Sequence, residues 1–242
     1  MTPSLDDGDV HIWTGHVDSR LAELSQLRSL LSNDEGDRAD RFRFERHHQA
    51  FVIARAMLRE VLASYVHLEA QDVSFVYGDH GKPALASSVL QFNASHSGDR
   101  IVVAVTRAAH VGVDVEHHRP LEYLELAERF FSEWEIDVLR AAGPDDLVQM
   151  FFRCWTRKEA YVKARGHGLS LPLRDFAVSL GADVSQVLVW SSEGAAEVER
   201  WELRELSLDV DYTAAVVVER PVTELRRFEW RSGLGVSPLA SV

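Results

Sequence analysis

The predicted helices and strands of this 242-residue chain run through the same order twice. Each half contains a long amphipathic helix that is followed by strands, and the last of these strands is strongly apolar. The two apolar strands, Ile101–Val105 and Ala214–Val218, occupy corresponding places in the two halves. This order predicts an α+β protein of two similar halves, 1–109 and 110–242, with a cleft between them.

Local signals predict where the single elements lie. In the first half we expect a polar break between two helices, and strands after the second helix. The expected segments are a strand at 10–13, helix 19–31, break 33–37, helix 38–68, and strands at 73–77, 91–95 and 101–106. In the second half, Ser132 and Glu135 form a capping-box pattern that starts a helix. A long helix then runs to Arg165 with Gly166 as its cap. The remainder is predicted to be β-rich, with strands at 175–180, 186–191, 198–207 and 211–219 and a peripheral tail at 225–242.

Composition excludes several classes of protein. Acidic residues outnumber basic ones 38 to 26, which argues against broad binding to nucleic acid. No apolar run approaches the roughly 18 residues that span a bilayer, and the N-terminus lacks the hydrophobic segment of a secretory signal. A single cysteine, Cys154, excludes an internal disulfide and a cysteine-clustered zinc site. We therefore expect a cytoplasmic protein that binds neither nucleic acid nor membranes.

A strand at 112–116 carries two carboxylates on one side. Residues at i and i+2 of a strand share a face, so Asp114 and Glu116 project together while Val113 and Val115 face the core. Two adjacent carboxylates repel each other unless a positive charge joins them. The pair is therefore either part of a cation site or an exposed edge with solvated acids.

The long helix of the second half carries a stripe of functional groups. Trp155, Glu159 and Lys163 follow one another at intervals of four residues and so share one helix face. Taken alone, this stripe favours a surface Glu–Lys pair, with Trp155 as a core residue. Together with Asp114 and Glu116 it would make an oxygen-only site of the kind Mg²⁺ prefers, with Lys163 beside it to contact phosphate.

Two polar segments could add contacts to a phosphate group. Phe92–Gly98 contains Asn93, Ser95 and His96, and we interpret it as a phosphate-binding turn after a strand. A plain polar turn is an equally good interpretation. The second segment, Gly81-Lys82-Pro83, is a turn that would present one fixed lysine.

In their order and spacing, these segments together resemble the surfactin-type 4′-phosphopantetheinyl transferases. The match covers about residues 40–180 and continues through Gly166–Leu173. The resemblance implies a monomer of two pseudo-twofold-related α+β halves with the active site in the cleft between them. It implies Mg²⁺-dependent transfer of phosphopantetheine from coenzyme A to a serine of an apo carrier protein, with release of 3′,5′-ADP; Mn²⁺ is also possible.

The resemblance also implies residue roles. Asp114, Glu116 and Glu159 match the metal ligands, Glu159 also matches the proposed base, and Lys163 matches a phosphate ligand that assists the leaving group. The coenzyme-binding positions that match are Lys82, Pro83, Asn93, Ser95, His96, Asp114 and Lys163. One position departs from the pattern, because some members have a phosphate-binding arginine where this chain has Ala50. We expect Arg55 to replace it, with Arg46 as the reserve.

The sequence leaves the carrier partner and two other functions open. The expected partner is a peptidyl or acyl carrier protein, docked at 166–176. Because many carriers are acidic, an acidic enzyme needs a local basic or apolar docking patch, or a less acidic carrier. A protein that only binds coenzyme A or a carrier is one alternative, supported only by Ala50. A metal-dependent phosphodiester hydrolase is the other, and the net charge of −12 opposes it.

Overall fold

The computed structural model describes residues 4–78, 80–86, 88–166, 168, 171–181, 186–231 and 237–238. The strands are β1 Asp9–His16, β2 Phe75–Tyr77, β3 Pro83–Leu85, β4 Leu90–Ser97, β5 Arg100–Arg107, β6 Val111–His117, β7 Phe176–Val178, β8 Leu188–Ser191, β9 Trp201–Leu206, β10 Tyr212–Glu219, β11 Glu224–Glu229 and β12 Ser237–Pro238. The α-helices are α1 Leu24–Arg28, α2 Asn33–Ala39, α3 Glu45–Val66, α4 Tyr123–Phe130, α5 Glu133–Arg140, α6 Pro144–Arg165 and α7 Ala195–Arg200. Within these ranges no helix is both long enough and apolar enough to cross a membrane.

Two sheets with the same strand order form the framework. The first sheet contains β1-β5-β4 and the second β6-β10-β9, and every neighbouring pair in these two triplets is antiparallel. In both triplets the strand that comes first in the sequence pairs with the strand of the triplet that comes last, β1 with β5 and β6 with β10. Each half also has one helix of 22 residues, α3 or α6. The prediction of an α+β protein with two similar halves is confirmed.

The two sheets share an apolar layer. Alternate residues of β1 and β5, such as Ile12 and Val102, form one buried cluster with Val113 and Val115 of β6 and Val216 of β10. The opposite face of the first sheet packs against α3, and the opposite face of the second packs against α6. The resulting order of layers is helix, sheet, sheet, helix. Strand alternation dictates this arrangement, because each strand places every second side chain on each face.

The expected peripheral tail at 225–242 is wrong for its first part. Strand β11 pairs in parallel with β1 and so extends the first sheet. Phe228 and Trp230 are buried, and the Trp230 indole N–H donates to Glu60 at 2.7 Å. The adjacent charges of Arg226 and Arg227 interrupt the apolar alternation of this segment, and this interruption hides the strand in the sequence.

The break expected at 33–37 is also wrong, because these residues are in α2. Ser32 and Glu35 form a capping box at its start. Glu35 is buried and binds the side chains of Arg55 and Arg59 on α3. The chain instead breaks at 41–44, so α3 begins at Glu45 rather than near 38. Two further segments are shorter than expected: the 19–31 helix is a 3-10 turn followed by α1, and the strand at 198–207 begins only after α7.

A buried ion pair fixes α6 to its neighbours. The Lys158 ammonium lies 2.7 Å from the Glu135 carboxylate, and neither side chain is exposed to solvent. The same ammonium donates to the carbonyls of Leu173 and Phe176. Glu135 also accepts the backbone N–H of Val178 at 2.8 Å. The Lys158 ammonium thus has three partners, and each Glu135 oxygen has at least one. A buried ion pair is tolerated when its polar atoms are hydrogen-bonded in this way.

We expect Lys158→Met to lower the free energy of unfolding by about 3–5 kcal/mol, because it leaves the Glu135 charge buried without its partner. Urea denaturation measures the loss. The matched control is Arg140→Met, which removes the exposed Arg140–Glu128 pair and should cost less than about 1 kcal/mol. Equal losses in the two variants would contradict the buried-charge argument.

Candidate active site between the two sheets

Strand β6 presents its even-numbered residues to α6. Val111, Val113 and Val115 lie in the apolar layer between the sheets. Gly112 lies against the backbone of α6, and Asp114 contacts Lys163 on the same helix. The prediction that the carboxylates face away from the valines is therefore confirmed.

Asp114 is the most buried acid of the group, with 4% of its surface exposed. Its Oδ1 accepts from the Lys163 ammonium at 2.6 Å and from the Ser95 hydroxyl at 2.9 Å. Its Oδ2 is buried and has no hydrogen-bond partner among the described residues. Burial raises the pKa of this carboxyl, and the neighbouring Lys163 opposes that rise. An unpartnered buried carboxylate oxygen is a ready ligand for a cation or a proton.

Glu116 and Glu159 complete the acidic group. Glu116 accepts from the Ser97 hydroxyl at 3.0 Å and from Arg119 at 2.8 Å. Glu159 is half-buried on α6; its pKa is raised first by burial and then by the charges of Asp114 and Glu116, while Lys163 lowers it. The three carboxylates thus act on one another electrostatically. Among the described residues, however, no three acidic, histidine or cysteine side chains already form a metal-binding cluster.

Lys163 joins α6 to both halves of the chain. Besides Asp114, its ammonium donates to the Ser95 hydroxyl at 3.2 Å and to the Val113 carbonyl at 3.3 Å. An ammonium has three donors, and these three contacts use all of them. Contact with a phosphate group would therefore require one of these partners to be exchanged.

Lys82 holds the Gly81-Lys82-Pro83 turn against the second half. Its ammonium donates to the carbonyls of Val111 at 3.0 Å and Lys163 at 2.7 Å. Burial lowers the pKa of Lys82 to about 8. A cavity of about 290 Å³ opens beside this turn, and its wall includes Lys82, Pro83, Asn93, Glu159 and Lys163. The structure thus brings five of the predicted site residues together. Two larger cavities adjoin Val189 and Trp190 and contain none of them.

The expected phosphate-binding turn at 92–98 is wrong, because β4 continues through Ser97. Three side chains of this strand accept hydrogen bonds from the backbone of β6. Asn93 accepts from Val113 N–H at 2.9 Å, Ser95 from Val115 at 3.4 Å and Ser97 from His117 at 3.1 Å. We call this row Asn93–Ser95–Ser97 the polar seam. It takes the place of a backbone ladder between the two sheets.

His96 lies on the other face of β4 from the polar seam. The residue is exposed, but the protein around its imidazole displaces water and so lowers its pKa. Electrostatic interaction with Lys163 and His47 lowers the pKa further. His47, in the first turn of α3, thus belongs to the surroundings of the site. Sequence patterns did not single out His47, Ser97 or Arg119. The i+2 spacing of Ser95 and Ser97, which matches that of Asp114 and Glu116, is the signal that could have identified Ser97.

The Arg55 guanidinium contacts three side chains of the first half. Its guanidinium binds Glu35, donates to the Tyr77 hydroxyl at 2.7 Å and lies 4.4 Å from the centre of the Phe75 ring. Arg46 lies in the first turn of α3, and its Nε donates to the His47 imidazole at 3.2 Å. Ala50 packs against the core under α3. The coenzyme roles of both arginines stay predictions.

The segment expected to dock a carrier is only partly described. Gly166 caps α6 at a φ of 72°, and Leu171 and Leu173 pack against the core of the second half. His167, Leu169 and Ser170 lie outside the described residues. Cys154 is buried, and burial raises its thiol pKa, as expected for a packing residue.

Comparison with known proteins gives a consistent result over both halves. Residues 110–217 match the family model described as "4'-phosphopantetheinyl transferase superfamily", and residues 17–108 match "4'-phosphopantetheinyl transferase, N-terminal". The 4'-phosphopantetheinyl transferase HetI of Nostoc sp. is 37% identical over 215 residues, which is 87% of this chain and 87% of that protein. Sfp of Bacillus subtilis, a 4'-phosphopantetheinyl transferase, is 32% identical over 66% of this chain and 71% of its own length. The mouse L-aminoadipate-semialdehyde dehydrogenase-phosphopantetheinyl transferase is 29% identical over 84% of this chain and 71% of its own.

Proposed function

The chain belongs to the 4′-phosphopantetheinyl transferase superfamily, and from this premise we propose which residues carry the reaction and which carrier it serves. The enzyme transfers phosphopantetheine from coenzyme A to a carrier protein. We propose the surfactin-type subclass, with a peptidyl or acyl carrier of specialised metabolism as the acceptor. The main support for the transfer chemistry at this site is the Asp114–Lys163 contact at 2.6 Å, with Glu159 near it and one Asp114 oxygen that has no partner among the described residues.

Glu159 is our proposed general base. The carrier's serine oxygen bonds to the phosphorus of the pantetheine phosphate, the bond from that phosphorus to 3′,5′-ADP breaks, and the serine proton moves to Glu159. The position of Glu159 in the wall of the cavity beside Lys163 supports this role, because a general base must lie within reach of the proton that it accepts. Lys163 is proposed to stabilise the leaving phosphate, since its ammonium lies beside Asp114 and Ser95.

We propose that Asp114, Glu116 and Glu159 hold Mg²⁺, or Mn²⁺ in its place. The donor set fits a hard cation, since all three are carboxylates and Oδ2 of Asp114 is buried without a partner among the described residues. Burial and then mutual repulsion raise the pKa values of Asp114 and Glu159, and a bound positive charge would relieve the repulsion. When bound, the ion supplies charge neutralisation for the pyrophosphate of coenzyme A.

The proposed coenzyme contacts line the cleft around these acids. Lys82, Pro83 and Asn93 line the 290 Å³ cavity with Glu159, which supports a role in holding coenzyme A. Ser95 and His96 are proposed to bind its phosphates, since Ser95 contacts Lys163, and His96 lies near Lys163 and His47. Asp114 and Lys163 belong to the same coenzyme site.

Arg55→Ala distinguishes a coenzyme role from a structural one. If Arg55 replaces the arginine absent at Ala50, the KM for coenzyme A should rise about tenfold while kcat changes little. If it serves only to pair Glu35 and Tyr77, the free energy of unfolding should fall and the KM should not move. Steady-state kinetics and urea denaturation of the same variant give the answer. An unchanged KM rejects the proposed compensation.

We further propose a monomer in the cytoplasm, divided at 1–109 and 110–242. Both triplets of strands are contained in one chain, and the lone cysteine is unpaired, as is usual in a reducing compartment. Gel filtration with light scattering measures the oligomeric state. Docking at 166–176 is the expected location of the carrier, and Leu171 and Leu173 lie at its described end.

Intact mass spectrometry tests the function directly. Purified apo carriers, one peptidyl and one acyl, are incubated with the enzyme, coenzyme A and Mg²⁺. A gain of about 340 Da on the carrier would be the mass of one phosphopantetheine attached to its serine. The gain should not appear when EDTA is present during the incubation. Coenzyme A binding without any gain on either carrier would favour a protein that only binds its ligands. Hydrolysis of a phosphodiester without transfer would favour the hydrolase.

A further inference from the structure

The connection between α2 and α3 is a basic and aromatic surface on an otherwise acidic protein. The chain has a net charge of −12, yet 38–46 contains four arginines and only two acids. Every residue from Asp40 to His47 is exposed, and two of them are large aromatics, Phe42 and Phe44, at 38% and 53%. We call this surface the basic ridge; its members are Arg38, Arg41, Phe42, Arg43, Phe44 and Arg46.

The arginines of the basic ridge form no ion pairs with carboxylates among the described residues. Most other arginines of the chain are paired, for example Arg140 with Glu128 and Arg200 with Glu219. On the ridge, Arg43 and Arg46 instead lie over the Phe44 ring, at 5.6 Å and 5.9 Å from its centre.

The two acids of the segment have other partners. Asp40 is bound by Arg28 at 2.8 Å, and Glu45 accepts from Gln49 at 3.1 Å. The positive charge of the ridge is thus not neutralised by the acids beside it. Exposed cations without internal partners are available to an external anionic surface.

The ridge lies next to the proposed active site. Phe44 contacts His47 at a ring separation of 5.6 Å, and His47 acts electrostatically on His96. His96 in turn lies near Lys163. A macromolecule seated on the ridge would therefore reach the cleft.

We propose that the basic ridge is a docking surface for an acidic, apolar-studded face of the apo carrier protein. This proposal rests on the proposed transferase function. The arginines would meet carboxylates of the carrier, and Phe42 and Phe44 would bury apolar side chains at the centre of the contact. Long-range attraction from the ridge would also offset the repulsion between two acidic proteins and speed their encounter. The ridge is separate in sequence from the 166–176 segment.

The test is a comparison of Michaelis constants for an acidic acyl carrier and for coenzyme A. The variant is Arg41→Glu/Arg43→Glu, which spares Arg46 because that residue is the reserve coenzyme ligand. The KM for the carrier should rise about tenfold at low salt, and the difference should shrink above about 0.5 M salt. The KM for coenzyme A, kcat and the thermal midpoint should stay unchanged.

Two single variants serve as controls. Arg107→Glu applies the same kind of charge reversal at the far end of β5, where Arg107 pairs with Asp7, and should leave the carrier KM unchanged. Arg174→Glu applies it within the 166–176 segment. A rise in carrier KM for Arg174→Glu alone, or an equal rise for Arg107→Glu, would overturn the ridge proposal.

The remaining outcomes are also decisive. A rise in the coenzyme A KM for the double variant would make the ridge a coenzyme site and overturn the proposal. The same conclusion follows if the wild-type enzyme modifies a neutral carrier but not an acidic one. If the wild-type enzyme modifies no carrier, the transferase function itself fails, and this result is seen before any variant is made.

Discussion

Glu159→Gln should lower kcat for phosphopantetheine transfer by about a thousandfold or more while leaving the fold intact. The amide keeps the size of the side chain but cannot accept the serine proton, and it is a poorer ligand for a divalent cation. Burial and the charges of Asp114 and Glu116 raise the pKa of Glu159, so the folded state disfavours its ionised form. The neutral amide removes that cost, and the variant should be as stable as the wild type at pH 7 or more so.

Single-turnover transfer measures the loss of rate, and thermal unfolding of the same preparation measures the stability. Glu128→Gln, which neutralises an exposed acid on α4, is the control and should change neither quantity. Wild-type turnover in Glu159→Gln would remove Glu159 from the mechanism. Loss of activity together with a large loss of stability would assign it a structural role instead.

Gly112→Ala should be the most disruptive single-methyl change in the site. A Cβ at this position would lie 2.1 Å from the carbonyl oxygen of Ala160 and 2.3 Å from the amide nitrogen of Ala164. Both are backbone atoms of α6, so the helix must move away from β6 as a unit. We expect a loss of about 3 kcal/mol in the free energy of unfolding, the upper end for overpacking. We also expect activity to fall at least about a hundredfold, because Glu159 and Lys163 move with the helix.

The matched control is Gly36→Ala in α2, where an added Cβ would meet only a flexible arginine end at 3.7 Å. Alanine favours a helix over glycine, so this variant should be unchanged or slightly stabilised. Urea denaturation and transfer assays on both variants make the comparison. A Gly112→Ala enzyme with normal kinetics would mean that α6 can shift without disturbing the site.

Strand and helix periodicity predicted the parts of the site that lie within one element. The i+2 spacing of Asp114 and Glu116 and the i+4 spacing of Glu159 and Lys163 follow from local geometry alone. The i+2 spacing of Ser95 and Ser97 indicates a shared face of β4, but it does not identify the partners of the polar seam, because Asn93 and Ser97 bond to a strand of the other half. Polar residues at alternate positions also occur on a strand face that is exposed to solvent, so the pattern alone does not distinguish the two cases.

Two other features depended on partners distant in sequence. Arg55 resembles a free basic residue until Glu35, twenty positions earlier, folds against it. Strand β11 has charges at four of its six positions and becomes recognisable only beside β1. Periodicity reports the burial of one face, and it fails where a sheet edge is held by backbone pairing rather than by apolar contacts.

The pairing of β11 with β1 has a consequence for biosynthesis. A ribosome that has translated residues 1–109 has made β1, β4 and β5, but not the strand that covers the outer edge of β1. That edge, with its unpaired N–H and C=O groups, is a template for wrong partners until Glu224–Glu229 is translated. The first sheet is thus completed by a strand that is translated only after β6 to β10 of the second half. Any attempt to express the two halves as separate genes must therefore supply β11 to the first of them.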